Sequence, residues 1–206
     1  DMNRREFLKT VGIVTAGALL SNACSREMGN ESMTNASAEN FTLVPETGPE
    51  KTVALMGVER SASEETTIQA VQKTALQATD FSWLKPGDDV FIKPALNSGN
   101  PFPATTSPLA VKAMVELLKD KGAGRVIVSD MSGIEHVKLT ADNLEGSSRH
   151  LMETSGMAQA ATEAGAELYF PEEDGWGAFV EEFPQDRTYW QGGIMMPKIL
   201  QDVEHV

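Results

Sequence analysis

The feature that most constrains the fold is a strand–helix–strand unit, DVFIK at Asp89–Lys93 followed by SPLAVKAMVELLKDKGAGRVIVSD from Ser107 to Asp130. Ser107 is a good N-cap, and Pro108 sits where a missing N–H costs nothing. Val111, Met114, Val115 and Leu118 then recur on one helical face, with Lys112 and Glu116 on the other. Gly122 ends the helix, and GAG leads into the apolar run Arg125–Asp130. Two buried strands joined by an amphipathic helix predict parallel pairing, because a crossover of this length returns the chain to the same end of the sheet.

The flanking segments extend that pattern. Lys51–Val58 (KTVALMGV) reads as an earlier strand, and Ser61-Ala62-Ser63-Glu64 as a capping box opening a helix to about Ala78. Leu84–Asp88 is turn chemistry. Arg149–Thr154 and Met157–Ala164 read as helical pieces, with Gly165 as a stop before a strand at Glu167–Phe170. Ile194–Leu200 and Val203 onward predict further strands, interrupted by Pro197. The expected fold is α/β, a mainly parallel sheet flanked by helices in three layers and incomplete at the C-terminus.

The N-terminal stretch NRREFLK is an address rather than a piece of fold. Arg4, Arg5 and Lys9 precede an apolar run, Val11–Leu20, that is too short to span a membrane. The stretch resembles a twin-arginine export signal, with Asn3 in place of the usual hydroxyl residue. Residues 1–23 are therefore expected to be a signal peptide and the export machinery a partner. In LLSNACS, both a lipoprotein-type cut and an ordinary small-x-small cut fall before Cys24, the single cysteine. Lipid attachment at Cys24 is the favoured reading, against a free thiol at a frayed end. Residues 24–50 are polar and aperiodic, as a flexible tether would be, leaving 51–206 for the α/β domain. The expected location is the far side of the cytoplasmic membrane, periplasmic and lipid-anchored.

Charge narrows the partners. Seventeen Lys and Arg face thirty Asp and Glu, for a formal net charge of −13. That excess argues against nucleic acid and against anionic membranes as partners of the folded body, since both need a positive face.

Two strand ends carry candidate chemistry, because ligands of open parallel sheets bind beyond the carboxyl ends. The first is Lys93-Pro94-Ala95-Leu96-Asn97, followed by Thr105-Thr106-Ser107 at a helix start. A lysine, an asparagine and a hydroxyl-rich helix N-terminus can hold an anion. The second is Asp130-Met131-Ser132-Gly133, where Asp130 could bind a metal, orient a substrate hydroxyl or act as a base. Lys93 and Asp130 are the catalytic candidates, and Asn97, Thr105, Thr106, Ser107, Ser132 and Gly133 the ligand-binding ones. The plainer readings are a snorkelling Lys93, a Ser107 that only caps, and an Asp130 that only caps its turn. No Walker loop or G-x-G-x-x-G is present. His136, His150 and His205 lack metal-ligand spacing and read as solvated or hydrogen-bonded. Glu172-Glu173-Asp174-Gly175 reads as a solvated turn, and the surrounding Trp176, Phe179, Phe183, Tyr189 and Trp190 as core packing, with a hydrophobic lid as the alternative.

In order and spacing, VFIKPALNS, ATTSPLAVKAMVELLKDKGAGRVIVSD, MSG and SGMAQAATEAGAELYF resemble the domain-of-unknown-function family 362, with its "IKPN", "TTxPEVVxA", "GDS" and "EAGxE". Ala95 stands where that pattern has asparagine, with Asn97 two places on, and Ser129 replaces the glycine before Asp130. The resemblance implies a strand like "INLPKxKTH" after Val206, so the chain is expected to be the N-terminal portion of a longer protein. It also implies a redox setting and a redox partner, since some relatives carry iron–sulfur modules. Those need several cysteines, so no iron–sulfur cluster is expected within this chain, and its cofactor is left unassigned. Two function classes follow: an exported α/β protein with an anion or small-molecule site, linked to redox chemistry, and a noncatalytic solute-binding or assembly lipoprotein.

Overall fold

Three short parallel strands organise the domain in the computed structural model, which describes residues 53–183 and 192–206. All of them lie in one compact unit, Pro49–Val206. The expected signal and tether, with Arg4, Arg5 and Cys24, fall outside the described residues, as do Tyr189 and Trp190. In chain order the elements begin with α1 (Glu64–Ala78), β1 (Val90–Ile92), α2 (Pro108–Asp120) and β2 (Val126–Ser129). A two-residue hairpin follows, β3 (Lys138–Leu139) and β4 (Leu144–Glu145), then α3 (Ser148–Thr154), α4 (Met157–Glu163) and β5 (Glu167–Tyr169). After two 3-10 turns, Pro171–Asp174 and Trp176–Ala178, come β6 (Phe179–Glu182), β7 (Ile194–Pro197) and α5 (Ile199–Asp202).

The sheet runs β1–β2–β5, all parallel, with Val90 opposite Val126 and Ile127 opposite Glu167. On the free side of β1 the chain returns at its end. Val90 forms a parallel bridge with His205, the Phe91 amide donates to the His205 carbonyl at 2.8 Å, and the His205 amide donates to the Asp89 carbonyl at 3.2 Å. Across the sheet the order is therefore 203–206, β1, β2, β5, all running parallel, and the order in which the chain visits the strands reverses at β1.

Strand alternation splits the core. Val90, Val126, Val128 and Leu168 meet α2 and α4 in a cluster with Leu96, Val115, Met152, Met157 and Phe170. Each fully buried Val, Leu or Phe there contributes about 1.5–3 kcal/mol. Phe91, Ile127 and Tyr169 face the other way, onto Val203, Ile199 and Leu200. The three expected layers are present but unequal, since α5 is a single turn. Helix α1 packs on α2 from outside, and the Gln72 amide donates to the Ala113 carbonyl at 3.3 Å.

Several local expectations change. Residues 53–58 have no strand partner among the described residues, and Val53 and Leu55 are exposed. Their apolar pattern met no sheet edge. The cap of α1 is Ser63, whose side chain accepts the Thr66 amide at 3.1 Å, two residues later than the capping-box reading. Ser107 occupies the N-cap of α2 without a side-chain cap bond, so capping does not account for its hydroxyl. Ile194–Leu200 is a strand only to Pro197, where the chain turns into α5. β7 pairs antiparallel with β6, Phe179 opposite Pro197, away from the parallel sheet. Trp176 and Phe183 are exposed rather than core.

Candidate functional site

Lys93 and Asp130 leave the carboxyl ends of neighbouring strands, and parallel pairing of β1 with β2 brings them together. Lys93 Nζ lies 2.7 Å from Asp130 Oδ1. The pair is asymmetric: the lysine side chain is 63% exposed and the carboxylate 6%. Asp130 Oδ2 accepts the Leu96 amide at 3.0 Å, so the buried carboxylate also fastens the loop after β1. Leu96 itself is fully buried in the core. A buried carboxylate with a cation and an amide donor on its two oxygens is compensated. Lys93 has three donors and spends one on Asp130.

The neighbouring loop is tied back by Thr106. Its Oγ1 accepts the Ala95 amide at 2.8 Å, and its own amide donates to the Ala95 carbonyl at 3.1 Å. The N-terminus of α2 is thereby held beside the end of β1, one residue after Thr106. Thr105 is buried and donates to the Asn100 carbonyl at 2.9 Å, a structural role inside the loop. Asn97 is exposed on that loop, and Ser107 is half-buried with its hydroxyl unused for capping.

After β2, Ser132 is buried and its amide donates to Ser148 Oγ at 3.0 Å. Gly133 is exposed, and its carbonyl accepts the His136 and Val137 amides at 2.9 and 3.1 Å, closing the turn. The Ser148 amide, first in α3, donates to Glu172 Oε1 at 2.9 Å. Glu172 is 1% exposed, which corrects the reading of Glu172–Gly175 as a solvated turn. Its neighbour Glu173 does face solvent and meets Arg149 at 2.8 and 2.7 Å. That guanidinium holds the Glu173 carboxyl below the usual carboxylate range and stacks 4.6 Å above the Phe170 ring.

Sequence reasoning named Lys93, Asp130 and Ser132 but missed the Leu96 amide, Ser148 and Glu172. The local hint was the apolar run LYFP directly before Glu172, which carries the chain inward up to the carboxylate.

The remaining polar clusters lie elsewhere. At the amino end of the sheet, Arg125 grips Asp89 at 2.8 and 2.6 Å, and His205 Nε2 sits 2.8 Å from Asp88 Oδ2. Asp88 and Asp89 are held below the usual carboxylate range, chiefly by the hydrogen bonds from His205 and Arg125 respectively. His136 and His150 are exposed. Two surface grooves, of about 420 and 410 Å³, are lined by residues around Met56–Lys73 and around Tyr169 and Lys198. Neither includes Lys93 or Asp130. No group of three or more His, Cys, Asp or Glu side chains suited to a metal ion occurs among the described residues. No helix among them is long and apolar enough to cross a membrane.

Comparison with the curated proteins and with the solved structures returned no match. A family model described as "Domain of unknown function (DUF362)" matches residues 90–206, more than half of the chain and all of the parallel sheet, and the chain belongs to that family.

Proposed function

We propose that the carboxyl ends of β1 and β2 bind a small anion, a phosphate or carboxylate group, with Lys93 as the charged contact and Asp130 as the group that aims it. The observation that carries this reading is the 2.7 Å pair between an exposed ammonium and a buried carboxylate at the carboxyl ends of β1 and β2, with β1 the strand at which the order reverses. Open parallel sheets bind ligands outside their carboxyl ends at such a reversal. The held lysine keeps donors toward solvent without wandering, which lowers the ordering cost of binding. The N-terminus of α2, set beside β1 by Thr106, adds the favourable end of a helix dipole. Asn97, Ser107, Ser132 and Gly133 are assigned to the rim and loops of this site, and Thr105 to its support.

Titration with inorganic phosphate, followed by calorimetry, tests the reading. Wild type should give saturable binding that Lys93→Ala removes; equal binding by the variant would overturn it. The exposure of Lys93 favours a second reading, reversible solute binding without turnover. Substrate-independent binding with no product formed from phosphate or carboxylate esters would select it.

The setting is part of the same proposal. An arginine pair before a short apolar run, and a single cysteine after it, support twin-arginine export and lipid anchoring at Cys24 on the outer side of the cytoplasmic membrane. Redox-associated work in the envelope is the broader role this setting favours. Cys24→Ser should shift the protein from the membrane fraction to the soluble one, and unchanged fractionation would remove the anchor from the account.

A further inference from the structure

Buried polar groups link the carboxyl ends of all three parallel strands. Asp130, after β2, accepts the Leu96 amide, after β1, at 3.0 Å. Two residues past Asp130, the Ser132 amide donates to Ser148 Oγ at 3.0 Å. The Ser148 amide in turn donates to Glu172 Oε1, after β5, at 2.9 Å. Ser132, Ser148 and Glu172 are 4, 0 and 1% exposed.

This chain of groups is not the arrangement that stability alone would favour. Glu172 Oε2 and Ser132 Oγ are buried without a hydrogen-bond partner among the described residues. Leaving buried polar atoms unpaired is unfavourable, and a well-packed apolar side chain of similar volume avoids that cost. A buried carboxylate in such a place is explained by what it holds. Its one bonded oxygen fixes the start of α3, whose first residue carries the hydroxyl that pins the loop beginning at Asp130.

We infer that Glu172 is a positioning residue for the Asp130 carboxylate, acting through Ser148 and the Ser132 amide. The inference rests on the reading of Lys93 and Asp130 as an anion site and adds the group that keeps its geometry. Glu172 contacts neither Lys93 nor Asp130 directly. Its effect reaches the site as a fixed backbone position for residues 130–132, and so as a fixed distance from Asp130 to the Leu96 amide and to Lys93.

Amide hydrogen exchange of the full chain, resolved by nuclear magnetic resonance, tests this without any ligand. Ser148→Ala removes the acceptor for Ser132 while keeping the Ser148 amide on Glu172. We expect exchange at both Ser132 and Leu96 to rise at least tenfold, with the amides of α2 unchanged. Glu172→Ala should reproduce that pattern, and Glu172→Gln, which keeps a carbonyl acceptor for the Ser148 amide, should restore wild-type protection. Faster exchange at Ser132 with Leu96 unmoved would overturn the inference, because the link would then end before Asp130. Failure of the glutamine variant to restore protection would also overturn it. Should Glu172→Ala not fold, Glu172→Met, close in volume and without an acceptor, takes its place: the same rise at Ser132 and Leu96 is expected, and wild-type protection at both would overturn the inference. A parallel phosphate titration should show about tenfold weaker binding by Ser148→Ala. If wild type binds no phosphate while Leu96 still responds, the anion reading fails and the positioning of Asp130 by Glu172 stands.

Discussion

The two ends of the parallel sheet use the same residue types to opposite effect. At the amino end, Asp89 and Arg125 join β1 to β2 through paired contacts at 2.8 and 2.6 Å, with both side chains reaching solvent. Glu204 accepts the Asp89 amide and His205 meets Asp88, so the returning segment is fastened to the same corner. These groups are matched in charge, since Arg125 has acid partners in both Asp89 and Glu167. At the carboxyl end, an acid is buried, its cation is exposed, and a second acid is buried after β5 with one oxygen unpaired among the described residues. Ion pairs that close on themselves staple strands. One that leaves an ammonium facing solvent is arranged to meet something else.

The largest effect expected from a single change is at the carboxyl end. Asp130→Ala leaves the Leu96 amide without its acceptor and frees Lys93 to solvent. We predict a loss of about 2 kcal/mol in chemical denaturation, together with loss of phosphate binding. A drop in stability with binding intact would reduce Asp130 to a structural cap and erase the contrast between the two ends.

How far this contrast could be read from sequence depends on how local each signal is. The β1–α2–β2 unit was legible because strand and helix periods, Ser107-Pro108 and Gly122 all lie within one continuous stretch. Adjacent parallel strands then imply that Lys93 and Asp130 are neighbours, so the pair was within reach of sequence reasoning. Glu172 was not. Its burial depends on where α3 begins, and the EEDG run has the composition of a solvated turn. The strand expected at 51–58 is not formed over 53–58, its described part, for the converse reason: an apolar pattern makes a strand only where a partner edge exists. His205 against Asp88 is a contact across almost the whole folded chain, which no local pattern announces.

A smaller effect is expected at the amino end. Asp89→Ala should cost at most about 1 kcal/mol, since the pair is partly exposed and screened. Salt should shrink that difference, because exposed pairs weaken as the Debye length shortens. Phosphate binding should be unchanged; a parallel loss would mean that the two ends are coupled and the contrast is false.

Acidification should weaken the amino end. Asp88 and Asp89 are both held below their ordinary range in the folded protein, so their contribution is present above the unfolded carboxylate pKa, about 4. It is lost as pH falls through the lower folded values. Stability measured against pH should therefore decline on the acid side below about pH 4, and Asp89→Asn should flatten the decline. An identical acid slope in that variant would contradict the assignment.

The smallest effect concerns Tyr169, on the thinly covered face of the sheet. Burial, and then the hydrogen bond with Asp174, push its hydroxyl up to about 12. Its folded pKa is raised, so its contribution persists below the unfolded value and is lost as pH rises toward 12. Ultraviolet titration should show a late-ionising tyrosine that Tyr169→Phe removes with little change in melting temperature. A titration unchanged by the substitution would place that late tyrosine elsewhere.

The central claim is that Lys93, held by Asp130 where strand order reverses, is a contact for an anion rather than part of a closed ion pair. Isothermal titration of wild type, Lys93→Ala and Asp89→Ala with inorganic phosphate, each below its melting temperature, addresses it most directly. The account predicts saturable binding in wild type and Asp89→Ala and none in Lys93→Ala. Equal binding in all three, or in none, would contradict it.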